Sequence, residues 1–220
     1  MKNLFNALQL KQLYQLKSLG FKYTSLKPFS FKDINSLELP NTLIELKKQI
    51  EKCYLCELSK TRDNIVFGEG KNNADIMFVG DYPMDIETSS KRPFLGRGGD
   101  MLTLMIEKVL ELSRQDVYIT NILKCQLLPN QKLHESYIHS CKAYLFKEIE
   151  IIKPKIIITL GDIPYHYLSE DNHKLKDIRG NIIQKNGYKI VPTYHPSFLL
   201  KNPSFKKEVF IDLKKVKSLI

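Results

Sequence analysis

The sequence predicts an α/β fold of three layers, with helices on both faces of a central four-stranded parallel sheet and a helical extension at the N-terminus. Three observations carry this. Four short apolar runs, Ala74–Gly80, Val117–Leu123, Ile156–Leu160 and Tyr188–Thr193, have strand length and are bounded by turn residues. Helical patterns separate the first three, so those strands are joined by crossovers and lie parallel. Each run also carries or meets a polar residue at its far end: Asp81, Asn121, Asp162 and His195. In an open α/β sheet, ligands bind outside the carboxyl ends of the strands.

The elements follow in order. Leu4, Leu8, Leu13, Leu16 and Leu19 recur at roughly helical spacing, with Gly20 as a stop. Ser25–Ser36 holds Pro28 and two phenylalanines and reads as a packed linker. Asn41 or Thr42 caps a helix through Leu43–Lys52. Residues 1–50 are read as the extension and 51–220 as the main domain. Cys53–Asn73 reads as loop, and so does the glycine- and proline-punctuated stretch Asp81–Gly99; loops this long inside a domain are usually functional. Leu102, Met105, Ile106, Val109 and Leu110 make Asp100–Leu112 an amphipathic helix. A second helix runs from His134 or Glu135 to Ile152, stopped by Pro154. Asn186–Gly187 suits the turn of a hairpin over Asn181–Val191, and Phe205–Leu219 closes the chain as a helix.

With 43% hydrophobic and 26% charged residues, the chain can build a packed core. Its apolar runs are too short to span a membrane, and polar residues interrupt the first twenty positions where a secretion signal would need an apolar stretch. A cytoplasmic protein is expected. The net charge of +10 favours a polyanionic partner such as nucleic acid. The four cysteines are spaced Cys53-x2-Cys56, then Cys125, then Cys141. In the cytoplasm such thiols are metal ligands more often than disulfides, and a thiolate set suits zinc or an iron–sulfur cluster.

The blocks that flank these positions are more specific. They comprise C-x2-C-x-L at Cys53–Leu58, V-F-G-E-G at Val66–Gly70, P-F-L-G-R at Pro93–Arg97 and V-Y-I-T-N-x-x-K-C at Val117–Cys125. Downstream come Cys141, I-x-P-x-I-I-x-x-L-G at Ile152–Gly161, R-G at Arg179–Gly180 and H-P-S-x-L-L-x-N-P at His195–Pro203. Collinear over about residues 51–218, they resemble the family 4, iron–sulfur type of uracil-DNA glycosylase.

That resemblance implies a DNA repair enzyme, monomeric in form, that flips uracil out of DNA and hydrolyses its N-glycosidic bond to leave an abasic site. It implies a structural [4Fe–4S] cluster on Cys53, Cys56, Cys125 and Cys141. It makes His195 the donor to uracil O2 and Asp81 the carboxylate near the sugar. Phe94 resembles the aromatic that stacks on uracil, Asn121 the amide that reads its edge, and Tyr82 a residue beside the pocket. Leu199 resembles the wedge that fills the gap left by the flipped base, with Phe198 or Leu200 as substitutes. Ser197 and the cations Arg62, Lys91, Arg97, Lys124 and Lys201 are expected at DNA phosphates. The chain departs from the family pattern at Gly80–Asp81–Tyr82–Pro83–Met84, at Glu87–Thr88, and at Gln126–Leu127–Leu128 after Cys125. These departures leave open a homologue that binds DNA without catalysis, or one that acts on another deaminated base.

Overall fold

A computed structural model of the chain describes residues 39–185 and 187–220. The helix expected through Leu4–Leu19 and the linker at Ser25–Ser36 lie outside these residues.

The apolar runs become strands as the sequence predicts. β1 (Glu69–Gly70), β2 (Ile76–Gly80), β3 (Tyr118–Asn121), β4 (Ile156–Leu160), β5 (Ile183–Lys185) and β6 (Tyr188–Thr193) form one sheet in the order β1-β3-β2-β4-β6-β5. The central four, β3-β2-β4-β6, are parallel. β1 adds a short antiparallel edge that the four-stranded expectation lacked, and β5 is the first arm of the expected hairpin, antiparallel to β6. Lys185 pairs directly with Tyr188, so the β5–β6 connection is a tight hairpin, and Gly187 supplies the positive φ of +87° that it needs.

Alternation along the strands divides the core in two. Met77, Val79, Ile157 and Ile190 face one layer; Ile76, Phe78, Ile156, Ile158 and Val191 face the other. The first layer is covered by α1 (Leu43–Glu51), α5 (Glu135–Ile152) and α6 (Asp162–Ser169). α1 is capped by Thr42, whose hydroxyl accepts the Glu45 N–H, and it buries Leu46 and Ile50 against this layer. The second is covered by α4 (Gly96–Met105) with its π-helical continuation Ile106–Leu110, and by α9 (Lys206–Lys217). Short helices α2 (Leu58–Thr61), α3 (Asp85–Ser90), α7 (Leu175–Ile178) and α8 (Pro196–Lys201) fill the connections.

Two expectations are corrected here. Asp81–Gly99 is not all loop, because α3 lies within it and α4 begins at Gly96, not Asp100. α3 has no apolar periodicity to announce it. What holds its first turn is the Glu87 carboxylate, which accepts the Met84 N–H at 2.9 Å. The glycines that open α4 are there for close packing: a β-carbon at Gly99 would sit 1.9 Å from the Phe94 carbonyl oxygen.

Register places the strand ends in one row. Gly80 lies beside Asn121, Val79 beside Thr159, and Leu160 beside Thr193. The chain leaves β2 toward β3 on one side, while β4 and β6 continue on the other. The crevice between β2 and β4 is therefore the topological switch point.

Ile158 lies at the centre of this sheet and is fully buried. Ile158→Ala should cost about 2–5 kcal/mol of unfolding free energy, measured by urea denaturation.

Candidate active site and cysteine cluster

The site begins at Gly80, the last residue of β2. A β-carbon there would lie 2.4 Å from Phe94 Cζ and 2.5 Å from Asn121 Oδ1. The absence of a side chain is what lets an aromatic ring and an amide meet at this strand end. Phe94 is buried and holds a left-handed backbone, φ +54°. Asn121 is buried at the end of β3, and no partner among the described residues reaches its Nδ2. A buried amide donor left open in this way is costly unless a ligand takes it.

His195 caps the N-terminus of α8. Its Nδ1 accepts the Ser197 N–H at 3.2 Å, so in the neutral ring the proton sits on Nε2. Burial pushes its pKa down to about 4, which keeps the ring neutral at physiological pH. The ring packs 5.6 Å, centroid to centroid, from Phe94. Asp81 follows Gly80, and its Oδ1 is buried with no donor among the described residues. Burial, with a further contribution from the Asp162 carboxylate, raises its pKa to about 7. Between Asp81 and His195 lies Gly161 at φ +106°, where a β-carbon would stand 3.7 Å from each. The gap stays open because this strand end carries no side chain. A cavity of about 560 Å³ opens here, lined by Asp81, Asp162, Lys174, Tyr194, His195 and Phe198 among others.

Supporting contacts fix these groups. Glu87 is buried, and its two oxygens accept the Met84 N–H and, at 3.1 Å, the Leu95 N–H; burial pushes its carboxyl up while these donors pull it down. Its oxygens are thus engaged in holding the Phe94 loop, whereas Asp81 Oδ1 has no such partner among the described residues. On the other side, Arg179 pairs with Asp212 and Glu208, both at 2.7 Å, and Asp212 accepts the Thr193 hydroxyl at 2.8 Å. This anchors β6 just before His195.

The four cysteines lie on the first core layer. Cys125 and Cys141 are buried, while Cys53 and Cys56 are half-buried. Burial pushes up the thiols of Cys125 and Cys141, the latter to about 12, and neighbouring cysteines add to both. Arg62 donates to Cys125 Sγ at 3.4 Å and to the Glu51 and Cys53 carbonyls at 2.7 and 2.9 Å. Among the described residues, no three His, Cys, Asp or Glu side chains stand at the spacing of ligands to a single ion.

Several expected DNA contacts are revised. Arg62 is turned onto the cysteine segment. Lys124 is fully buried in an ion pair with Glu148 and cannot reach a phosphate. Leu199 is buried in the second core layer, so the apolar side chain that α8 presents outward is Phe198, stacked on Tyr194. Tyr82 packs against the first layer and lines a separate cleft with Met84, Leu127 and Gln131, apart from Phe94. Lys91, Arg97, Ser197 and Lys201 are exposed. Lys174 and Tyr194 have no site role in the sequence reading, where nothing distinguishes them from ordinary surface and core positions; Glu87 stands there only as a departure from the family pattern, and its hold on the Phe94 loop emerges with the fold.

The uracil DNA glycosylase superfamily model matches residues 67–214. The type-4 uracil-DNA glycosylase of Saccharolobus solfataricus is 43% identical over 180 residues, which covers 78% of this chain and 83% of that protein. Those of Sulfurisphaera tokodaii and Thermotoga maritima are 38% and 36% identical, covering 81% and 80% of this chain and 85% and 93% of theirs. The chain belongs to the uracil DNA glycosylase superfamily.

Two outcomes follow from the geometry. Gly80→Ala forces Phe94 and Asn121 apart, so its turnover should fall by about a hundredfold in a single-turnover assay, while the protein remains folded by circular dichroism. Asp81 is costly as an anion. Between pH 3.8 and about 7 the folded carboxyl keeps a proton that the unfolded chain has released, so stability falls as pH rises through that window. Asp81→Asn should therefore be more stable than the parent at pH 8, by roughly 1–4 kcal/mol, with the gain vanishing at pH 3.

Proposed function

We propose that the protein excises uracil from DNA by hydrolysing the N-glycosidic bond, with Asp81, Phe94, Asn121 and His195 as the site. The observation that carries this is the meeting of an open amide donor, an aromatic ring, a neutral imidazole and an unpaired carboxylate at the carboxyl ends of β2, β3 and β6. All four come from one chain, as a monomer would need.

Recognition follows from hydrogen-bond polarity. Uracil offers an acceptor at O4 and a donor at N3. Asn121 matches both, through Nδ2–H and Oδ1, whereas cytosine would set its amino group against the amide donor. Phe94 stacks on the base. As the C1′–N1 bond breaks, its electron pair moves into the uracil ring toward O2, and His195 Nε2–H donates to that oxygen. A neutral donor suits this work because its proton is shared with the leaving anion without a second charge being buried. The sugar is left cationic, water adds to C1′, and Asp81 takes the water proton. A carboxyl whose pKa is near 7 is matched to that transfer at neutral pH.

Arg97, Ser197 and Lys201 supply phosphate contacts. Phe198, rather than Leu199, is the wedge. Tyr82 meets DNA flanking the uracil. A [4Fe–4S] cluster on Cys53, Cys56, Cys125 and Cys141 is structural and supplies no bond chemistry. What supports it is the presence of four cysteines on one core layer, with the Arg62 guanidinium donating to Cys125 Sγ, a cation placed to offset thiolate charge. The expected compartment is the cytoplasm.

The test is uracil release from a labelled single-uracil oligonucleotide, as single strand and as duplex opposite guanine, beside oligonucleotides carrying hypoxanthine or xanthine. The parent should release uracil, and His195→Ala should lower the rate by about a hundredfold or more. Release of hypoxanthine but not uracil would overturn the reading. Cys125→Ala should lose iron and visible absorbance. A colourless variant of full solubility and activity would rule out the structural role.

A further inference from the structure

The fully buried ion pair Lys124–Glu148 has no part in the chemistry above, and the bonds it makes lead to the recognition amide. Lys124 Nζ donates to Glu148 Oε2 at 2.6 Å, to Thr120 Oγ1 at 2.7 Å and to the Asn121 carbonyl oxygen at 2.8 Å. A lysine ammonium has three protons, and here each has a partner. Glu148 is equally occupied: it also accepts from the Thr120 hydroxyl at 3.0 Å, the Tyr118 hydroxyl at 3.2 Å and the Gly68 N–H at 3.4 Å. The pair therefore clamps the last turn of residues of β3 to α5 from within the core.

The side chain of Asn121 needs such a clamp. Nothing among the described residues bonds its Nδ2, and its Oδ1 is only packed against Gly80. Its direction must be set by its backbone, whose carbonyl is the group Lys124 holds. Beyond Asn121 the β2–β3 ladder ends, and the chain is kept by the Ile122 N–H to Gly80 O and the Leu123 N–H to Asp81 O bonds. Stability alone gives little reason for the ion pair, since apolar residues of similar size in place of a buried pair are often neutral or stabilising.

We propose that Lys124 and Glu148 are positioning residues that aim the Asn121 amide at the uracil edge. This rests on Asn121 being that amide, as proposed above. The decisive variant is the double substitution Lys124→Met with Glu148→Leu, which removes the pair without leaving a buried charge. It is compared with the parent and with Asn121→Ala. For each protein we would measure kcat and KM for uracil release, affinity for free uracil by competition, affinity for an abasic-site oligonucleotide, thermal midpoint and iron per chain. The expected result is a double variant with parental iron content, a thermal midpoint no lower than the parent's and abasic-site affinity within about twofold. Its kcat/KM and free-uracil affinity should fall about 10- to 100-fold, following Asn121→Ala. Parental uracil release by the double variant, while Asn121→Ala is slow, would overturn the proposal alone. A double variant that loses iron, or loses abasic-site and uracil affinity together, would show that the pair serves the fold or the cysteine segment, and would also overturn it. Parental release by Asn121→Ala would overturn the role of the amide, and the proposal with it.

Discussion

The close approach at Gly80 is the constraint on which the site depends. Two strands in register bring Gly80 beside Asn121, and only a residue without a side chain lets the Phe94 ring and the Asn121 amide share that point. The devices around it maintain the approach. Gly99 gives way to the Phe94 carbonyl, and Glu87 ties the Leu95 N–H, next to Phe94, to the start of α3 at Met84. A phenylalanine with φ of +54° is held off its preferred backbone, and such strain persists only where neighbours over-determine it.

The same site holds its polar groups short of partners. Asp81 Oδ1 and Asn121 Nδ2 are buried with unused hydrogen-bonding capacity, and the His195 ring is desolvated enough to stay neutral. Two buried networks nearby are fully bonded: the Glu148 network is complete, and Asp212 is held by Arg179 and Thr193. Of the two acidic residues that follow β2, Glu87 is engaged by the loop, whereas Asp81 Oδ1 has no partner among the described residues.

The sequence carried the fold because strand signals are local. Four apolar runs bounded by turns translate directly into the parallel sheet, and the polar residue beyond each run marks the crevice. Phe94, Asn121 and His195 can be picked out as candidates because their flanking motifs are distinctive, and Asp81 because it follows a strand-like run; the fold brings these candidates near one another. Lys124 was misread as a surface cation because its partner, Glu148, lies in another element, and residue type alone cannot reveal such pairing. Leu199 and Phe198 are adjacent in sequence, and which one faces outward depends on how α8 is rotated against the core. α3 was missed because a carboxylate bond, not a hydrophobic stripe, starts it.

The two edge strands matter before the protein is ever folded. A parallel sheet assembles slowly from distant segments, and while it does so its unpaired edges can join those of another chain. Here each outer parallel strand is covered by a short segment, β1 against β3 and β5 against β6. β5 is joined to β6 by a tight hairpin, so that edge can be closed by a nearby piece of the same chain as soon as β6 is in place. The finished sheet presents edges only two and three residues long, too short to template a strand from a neighbour. The sheet is thereby protected from edge-to-edge pairing by five residues, two in β1 and three in β5.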